Sequence, residues 1–138
     1  RRVLFRSGEA ARLLDCTVGE VQADREAAAR RLAGMYHCIA VLKGRGTLIA
    51  TPGGEVYHNP TGSAGLAKGG SGDILAGLLS GLLAAGLKQG RTAEDAAIAA
   101  VWLHGAAGDR CAKRLGMAAM LPHDIFADLG AIFAELER

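Results

Sequence analysis

The strongest constraint in this chain is residues 59–86, NPTGSAGLAKGGSGDILAGLLSGLLAAG, where a glycine-dense loop delivers an acid, Asp73, onto an apolar helix. Gly69, Gly70 and Gly72 carry no Cβ, so they are expected to take positive φ and to let a ligand approach the main chain. From Ile74 the pattern turns helical. The unpaired amides of the first turn then point back into the loop, beside the roughly +0.5 charge of the helix end. A phosphate is the natural guest of such a place, and Asp73 stands beside it as a candidate base.

The chain has 138 residues, half of them hydrophobic, which is material for one modest core, and one domain is expected over 1–138. Aromatics make up only 4% while glycines number 20, so small side chains must do the packing, with helices lying close against a sheet. A formal charge of +2, with no basic block interleaved with aromatics, leaves no electrostatic footprint for nucleic acid. A small-molecule partner is expected instead. Cys16, Cys38 and Cys111 show no paired spacing and are expected as small buried hydrophobes in a reducing compartment. The longest apolar runs, such as 76–87, are broken by glycine and serine and fall short of the roughly 20 residues of a membrane span. No signal-peptide pattern follows Arg1 and Arg2. A cytoplasmic protein without membrane contact is the expectation.

Along the chain, residues 1–7 (RRVLFRS) prepare no element by capping or periodicity, and there is no initiator methionine, so a truncated fragment with a non-native start is expected. Residues 9–14 read as a short helical turn. Thr17 and Glu20 stand in capping-box spacing and open a longer helix, expected to run to Ala33 with Val18, Val21, Ala28 and Leu32 inside and Asp24, Arg25, Glu26, Arg30 and Arg31 wet. Gly34 is expected to stop it. Residues 39–42 read as a buried strand, 48–51 and 55–58 as two more in an edge meander, with a turn at 52–54. Thr92 and Asp95 open a further helix to Leu115, apolar nearly all round, on which Gly105 and Gly108 permit close packing. A last amphipathic helix is expected over 125–136.

A glycine cluster beside an acid is a weak signal by itself, because many such loops are plain turns. Phosphoryl transfer, however, needs little beyond positioning and charge neutralisation, and GGSGD offers both. Its surroundings add more. Residues 43–47 (KGRGT), 59–62 (NPTG), 69–73 (GGSGD) and 104–109 (HGAAGD), in this order and spacing, resemble the C-terminal half of the ADP- or ATP-dependent NAD(P)H-hydrate dehydratases, a branch of the ribokinase-like kinases. The likeness runs from about Gly8 to the C-terminus, whereas a complete family domain is roughly twice as long.

The resemblance implies an α/β fold, a three-layer ribokinase-like (Rossmann-like) sandwich, here as its C-terminal portion with part of the central sheet missing. It also implies repair of hydrated NADH or NADPH. Asp73 would deprotonate the C6 hydroxyl, the terminal phosphate of ADP or ATP would be transferred to it, and elimination of phosphate would regenerate the dihydronicotinamide. Gly69, Gly70, Ser71 and Gly72 would hold the phosphates with Mg²⁺ bridging them. Lys43, Gly44, Arg45, Gly46 and Thr47 would border the adenine nucleotide, and Asp73 and Asn59 would meet the substrate. No protein-ligated metal is implied, and the full-length protein is expected to be a homo-oligomer. Two other functions stay open: a kinase of the same superfamily acting on a vitamin precursor or sugar, and a non-catalytic nucleotide-binding fragment.

The sequence departs from the family pattern in places. Phe5, Arg6 and Ser7 stand where a Pro-His-Pro precedes Gly-Glu, Lys68 stands where threonine usually precedes the glycine loop, and Ser63 where asparagine is common. Lys68 is either a cation for the phosphates or a solvated loop lysine. Lys43 follows a buried strand, where lysines face phosphates or idle in solvent. His104 is expected to be a hydrogen-bonded core histidine, Asp109 a structural brace and Trp102 core; His37, His58 and His123 lack partners at metal-ligand spacing. The isolated chain is expected to expose apolar surface.

Overall fold

A computed structural model describes the backbone from Arg2 to Arg138 and the side chains from Leu4 onward. It divides into two compact units, residues 1–59 and 60–138. The first begins with β1 (Arg2–Phe5), followed by α1 (Ser7–Leu13), α2 (Val18–Ala23) and α3 (Arg25–Tyr36). Then come β2 (Ile39–Leu42), β3 (Leu48–Ala50) and β4 (Val56–His58). The sheet order is β1-β2-β3-β4, with β1 parallel to β2 and the remaining pairs antiparallel. A parallel pair needs a crossover, and the three helices supply it.

The expected strands therefore form, and β2 is buried along its whole length. β1 was not expected. Its register sets Phe5 against Leu42, and Phe5 is buried in the core of this unit with Ala10, Leu14, Val21, Leu32 and Leu42. The segment also prepares the helix after it, because the Arg6 N–H donates to Glu9 Oε2 at 2.8 Å.

The single helix expected over 17–33 is two. Thr17 and Glu20 do form their capping box, but Asp24 leaves helical geometry at φ −144°, ψ 80° and its carboxylate accepts the Ala27 N–H at 2.9 Å. A short acidic side chain that satisfies a free amide at a new N-terminus competes with the helix it interrupts. Val18 is consequently exposed, while Val21, Ala28 and Leu32 are buried as expected. Nor does α3 stop at Gly34. It ends when His37 turns left-handed at φ 48°, which lets the Cys38 N–H reach the Ala33 carbonyl at 3.1 Å and puts Cys38 into the core ahead of β2.

The second unit holds α4 (Ser71–Lys88), α5 (Ala93–Leu115) and α6 (Ile125–Leu136). Thr92 and Asp95 cap α5 reciprocally at 2.8–3.0 Å. α5 packs between its two neighbours, and Leu103, Ala107, Cys111, Met120, Ile125 and Leu129 form the core. α4 starts at Ser71, three residues before the expected Ile74, and passes through Gly86 to Lys88. Trp102 is 41% exposed, against the expectation of core, because it lies on the one face of α5 left outside the contact. α4, with mean hydropathy 1.2 over 18 residues, is long and apolar enough to cross a membrane by length and composition alone, contrary to the expected shortfall; apolar helices of soluble proteins pass the same test. The expected exposed apolar surface is present in this chain, with Leu87, Phe126 and Leu136 all more than half exposed.

Candidate functional site

In the first unit, residues 43–47 form the loop between β2 and β3. The Lys43 N–H extends the parallel ladder to the Phe5 carbonyl at 2.8 Å, and Thr47 Oγ1 donates to the Gly44 carbonyl at 3.3 Å. Arg25, expected on the wet face of its helix, is half-buried beneath this loop. Its guanidinium donates to the carbonyls of Arg45, Gly46 (3.0 Å) and Leu42 (3.2 Å), and burial pushes its pKa down. Five rigid donors in a planar fork suit a cluster of carbonyls. Gly44 is required beside it, since a Cβ there would lie 2.7 Å from Arg25 Nη2 on a backbone of φ +155°. The Asn59 N–H donates to the Thr47 carbonyl at 2.9 Å, and Asn59 is buried, so this unit brings Asn59 against the end of the 43–47 loop.

The second unit assembles the glycine loop. Of the three glycines expected at positive φ, only Gly70 has it, at +94°. It is the N-cap residue of α4, and one reversal there is enough to start the helix; Gly72 is already in the first turn with helical geometry, and Gly69 precedes the reversal. Gly70 offers no side chain to cap the helix, and its carbonyl accepts the Asp73 and Ile74 N–H groups at 3.1 and 3.2 Å. Asp73 is therefore the third helical residue, exposed, in the positive first turn. It also lines one end of an apolar groove of about 720 Å³ that runs between α4 and α6 past Ile74, Gly77, Leu78, Phe126 and Phe133.

Lys68 fills neither of its expected roles. Its ammonium donates to the carbonyls of Met117 (3.1 Å), Ala118 (2.9 Å) and Met120, which spends its three donors on the chain leaving α5. It ties the approach of the glycine loop to that segment and is not left free for a phosphate.

HGAAGD explains how α5 holds this region. His104, Gly105, Gly108 and Asp109 recur at spacings that place them on one helix face. His104 Nε2 lies 3.0 Å from the Ser71 carbonyl and 3.2 Å from Ser71 Oγ, a hydrogen-bonded histidine in a buried position, as expected. Gly105 lets the backbone of Thr61 approach, Gly108 receives the Leu66 side chain, and Asp109 Oδ2 accepts the Gly62 N–H at 2.9 Å. Asp109 is thus a brace. No sequence periodicity announces the contacts of Arg25, Lys68 or His104, which link residues 17 to 52 positions apart. Among the described residues no group of three or more His, Cys, Asp or Glu side chains gathers.

Residues 6–130 match the NAD(P)H-hydrate dehydratase (Carb_kinase) family. The chain is 50% identical over 113 residues to the ADP-dependent (S)-NAD(P)H-hydrate dehydratase of Neisseria meningitidis, an alignment covering 82% of this chain and 37% of that protein. In structure it resembles the ADP/ATP-dependent NAD(P)H-hydrate dehydratase of Bacillus subtilis crystallised with ATP and Mg²⁺, with a TM-score of 0.90 and 32% identity over 97% of this chain and 47% of that one. It also resembles a ribokinase-like superfamily protein of Enterococcus faecalis, with a TM-score of 0.74 and 29% identity over 97% of this chain and 44% of that one. The chain thus spans about half the length of these solved relatives. Its α/β, ribokinase-like class is the one expected, and by sequence and fold together the chain belongs to the NAD(P)H-hydrate dehydratase family.

Proposed function

We propose that this chain is the C-terminal portion of a single ribokinase-like domain that uses ADP or ATP to dehydrate hydrated NADH or NADPH. The observation that carries this is the start of α4. A carboxylate, Asp73, stands in the first turn of a helix whose N-cap, Gly70, supplies no side chain, so a ligand can take the place of a cap. The names of the Neisseria and Bacillus relatives supply the reaction class.

In this reading the backbone amides over Gly69, Gly70, Ser71 and Gly72 hold the phosphates, and Lys43, Gly44, Arg45, Gly46 and Thr47 belong to the adenine nucleotide. Asp73 and Asn59 meet the substrate. The Asp73 carboxylate accepts the proton of the C6 hydroxyl as that oxygen bonds to the terminal phosphorus and the nucleotide departs one phosphate shorter. The C6–O bond, whose oxygen now belongs to the phosphate, then breaks as phosphate leaves with the bonding electrons, the neighbouring ring carbon gives up a proton to water, and the ring regains its dihydronicotinamide double bond. The donor set at α4 is amides and one carboxylate, with no cluster of metal-ligating side chains among the described residues. That set fits Mg²⁺ carried by phosphate oxygens and water rather than by a protein cage. The ion would supply charge neutralisation.

The test is to give the full-length protein hydrated NADH with ADP and Mg²⁺ and follow the return of NADH absorbance together with phosphate release. Return of absorbance with matching phosphate supports the proposal. Stable phosphorylation of an alcohol from ATP, without elimination, would make the protein a kinase, and nucleotide binding with neither turnover would make it non-catalytic.

A further inference from the structure

The first turn of α4 lacks the device that usually fixes a helix start. Ser, Thr, Asp or Asn at the N-cap would bond an amide of the turn, whereas Gly70 has no side chain with which to do so. The turn is held from outside. His104, in the middle of α5, places Nε2 3.0 Å from the Ser71 carbonyl and 3.2 Å from Ser71 Oγ, with His104 7% and Ser71 6% exposed. A carbonyl oxygen can only accept, so the shorter contact is a hydrogen bond in which Nε2 carries the hydrogen, and the Ser71 hydroxyl lies near enough to share it. Little is free to move at the other end of this link. Next to His104, Gly105 is in contact with the backbone of Thr61, and Asp109, one turn on, accepts the Gly62 N–H.

We infer that His104 is a positioning residue for Asp73, fixing through Ser71 the turn that carries the carboxylate. Ser71 and Asp73 are two residues apart in one helical turn, so a tilt of the Ser71 peptide is transmitted to the direction of the Asp73 side chain. Holding the turn by a carbonyl also leaves the amide side of the helix end open to a ligand, which a side-chain cap would occupy. The inference rests on the proposed role of Asp73 as base.

The experiment compares His104→Leu, which removes the donor, with His104→Gln, whose amide nitrogen reaches the same place, in the full-length protein with hydrated NADH and ADP. A displacement on the order of 1 Å at a reacting group costs about 100-fold in rate, so His104→Leu is expected to lose about that in kcat while it binds ADP at full stoichiometry. His104→Gln should recover most of the loss. In an Asp73→Asn background, His104→Leu should remove little of what turnover remains, because residues that act as a unit are not additive.

Wild-type kcat in His104→Leu, no rescue by glutamine, or the same loss in the Asp73→Asn background would each overturn the inference. If His104→Leu does not fold, His104→Asn, too short to reach the carbonyl, takes its place in the comparison. If the wild-type protein turns over nothing, the functional proposal has failed. The positioning claim is then read from amide exchange at residues 71–75, which must quicken in His104→Leu with α6 unchanged; equal exchange overturns it.

Discussion

Replacing Gly105 by alanine tests whether α5 is the ruler against which the loop segment is set. A Cβ at this position would lie 2.2 Å from Thr61 Oγ1, 2.7 Å from the Thr61 carbonyl carbon and 2.8 Å from its oxygen. The hydroxyl can swing away, at the cost of its 2.9 Å bond to the Trp102 carbonyl, a loss of about 1 kcal/mol. The carbonyl group cannot. It must retreat by about 0.7 Å to reach ordinary contact, an overpacking of the kind that costs about 1–3 kcal/mol. Against this, alanine favours a helix interior over glycine by about 1 kcal/mol. The net is a destabilisation of about 1–3 kcal/mol. Gly130→Ala in α6 is the control, because nothing stands within 4 Å of its added Cβ, and it should stabilise by about 1 kcal/mol from the same propensity. The assay is urea unfolding followed by the fluorescence of Trp102, the sole tryptophan of these 138 residues, three positions from the substitution. With a slope of about 1–3 kcal/mol per molar urea, the Gly105→Ala midpoint should fall by about 1 M while that of Gly130→Ala rises. A Gly105→Ala midpoint at or above that of Gly130→Ala would refute the close approach.

Two further outcomes follow from groups already described. Lys68→Met leaves the Met117, Ala118 and Met120 carbonyls without their shared donor and should destabilise by about 1.5–3 kcal/mol in the same urea assay, whereas a solvated lysine would leave the midpoint unmoved. Hydrogen bonds from Thr92, first its backbone N–H and then its hydroxyl, hold the Asp95 carboxyl below its ordinary pKa, and Thr17 does the same for Glu20. A folded value below the unfolded one stabilises above the ordinary carboxylate range, near pH 4, and that stability is lost as pH falls through the folded values. Thermal midpoints should therefore drop below about pH 4 by less in an Asp95→Asn, Glu20→Gln variant than in the wild type, and an identical acid profile would refute the assignment.

What was legible in the sequence is what nearest neighbours decide. β2, α5 and α6 fall where periodicity and capping put them, since Thr92 with Asp95 and the apolar stripe of 125–136 carry their own signals within a few residues. The glycine loop was legible as the start of a helix bearing Asp73, though the one residue that turns left-handed, Gly70, was not separable from its neighbours by composition. The rest depends on distant partners. β1 exists because β2, more than thirty residues on, offers it a parallel edge, and Arg25 leaves solvent because three carbonyls of the 42–46 segment converge on it. Lys68 read as either a cation for phosphates or a solvated loop lysine, and His104 as a core histidine; only the fold shows that one binds the chain leaving α5 and the other the first turn of α4. Asp24 is the exception, a local cap concealed inside an unbroken helical pattern.

The most direct test of the account is Asp73→Asn in the full-length protein. Asparagine keeps the size of the side chain and removes its basicity, so the account predicts that ADP still binds with affinity close to wild type while hydrated NADH regains NADH absorbance only at a small residual fraction of the wild-type rate. Turnover at the wild-type rate with asparagine at position 73 would contradict it.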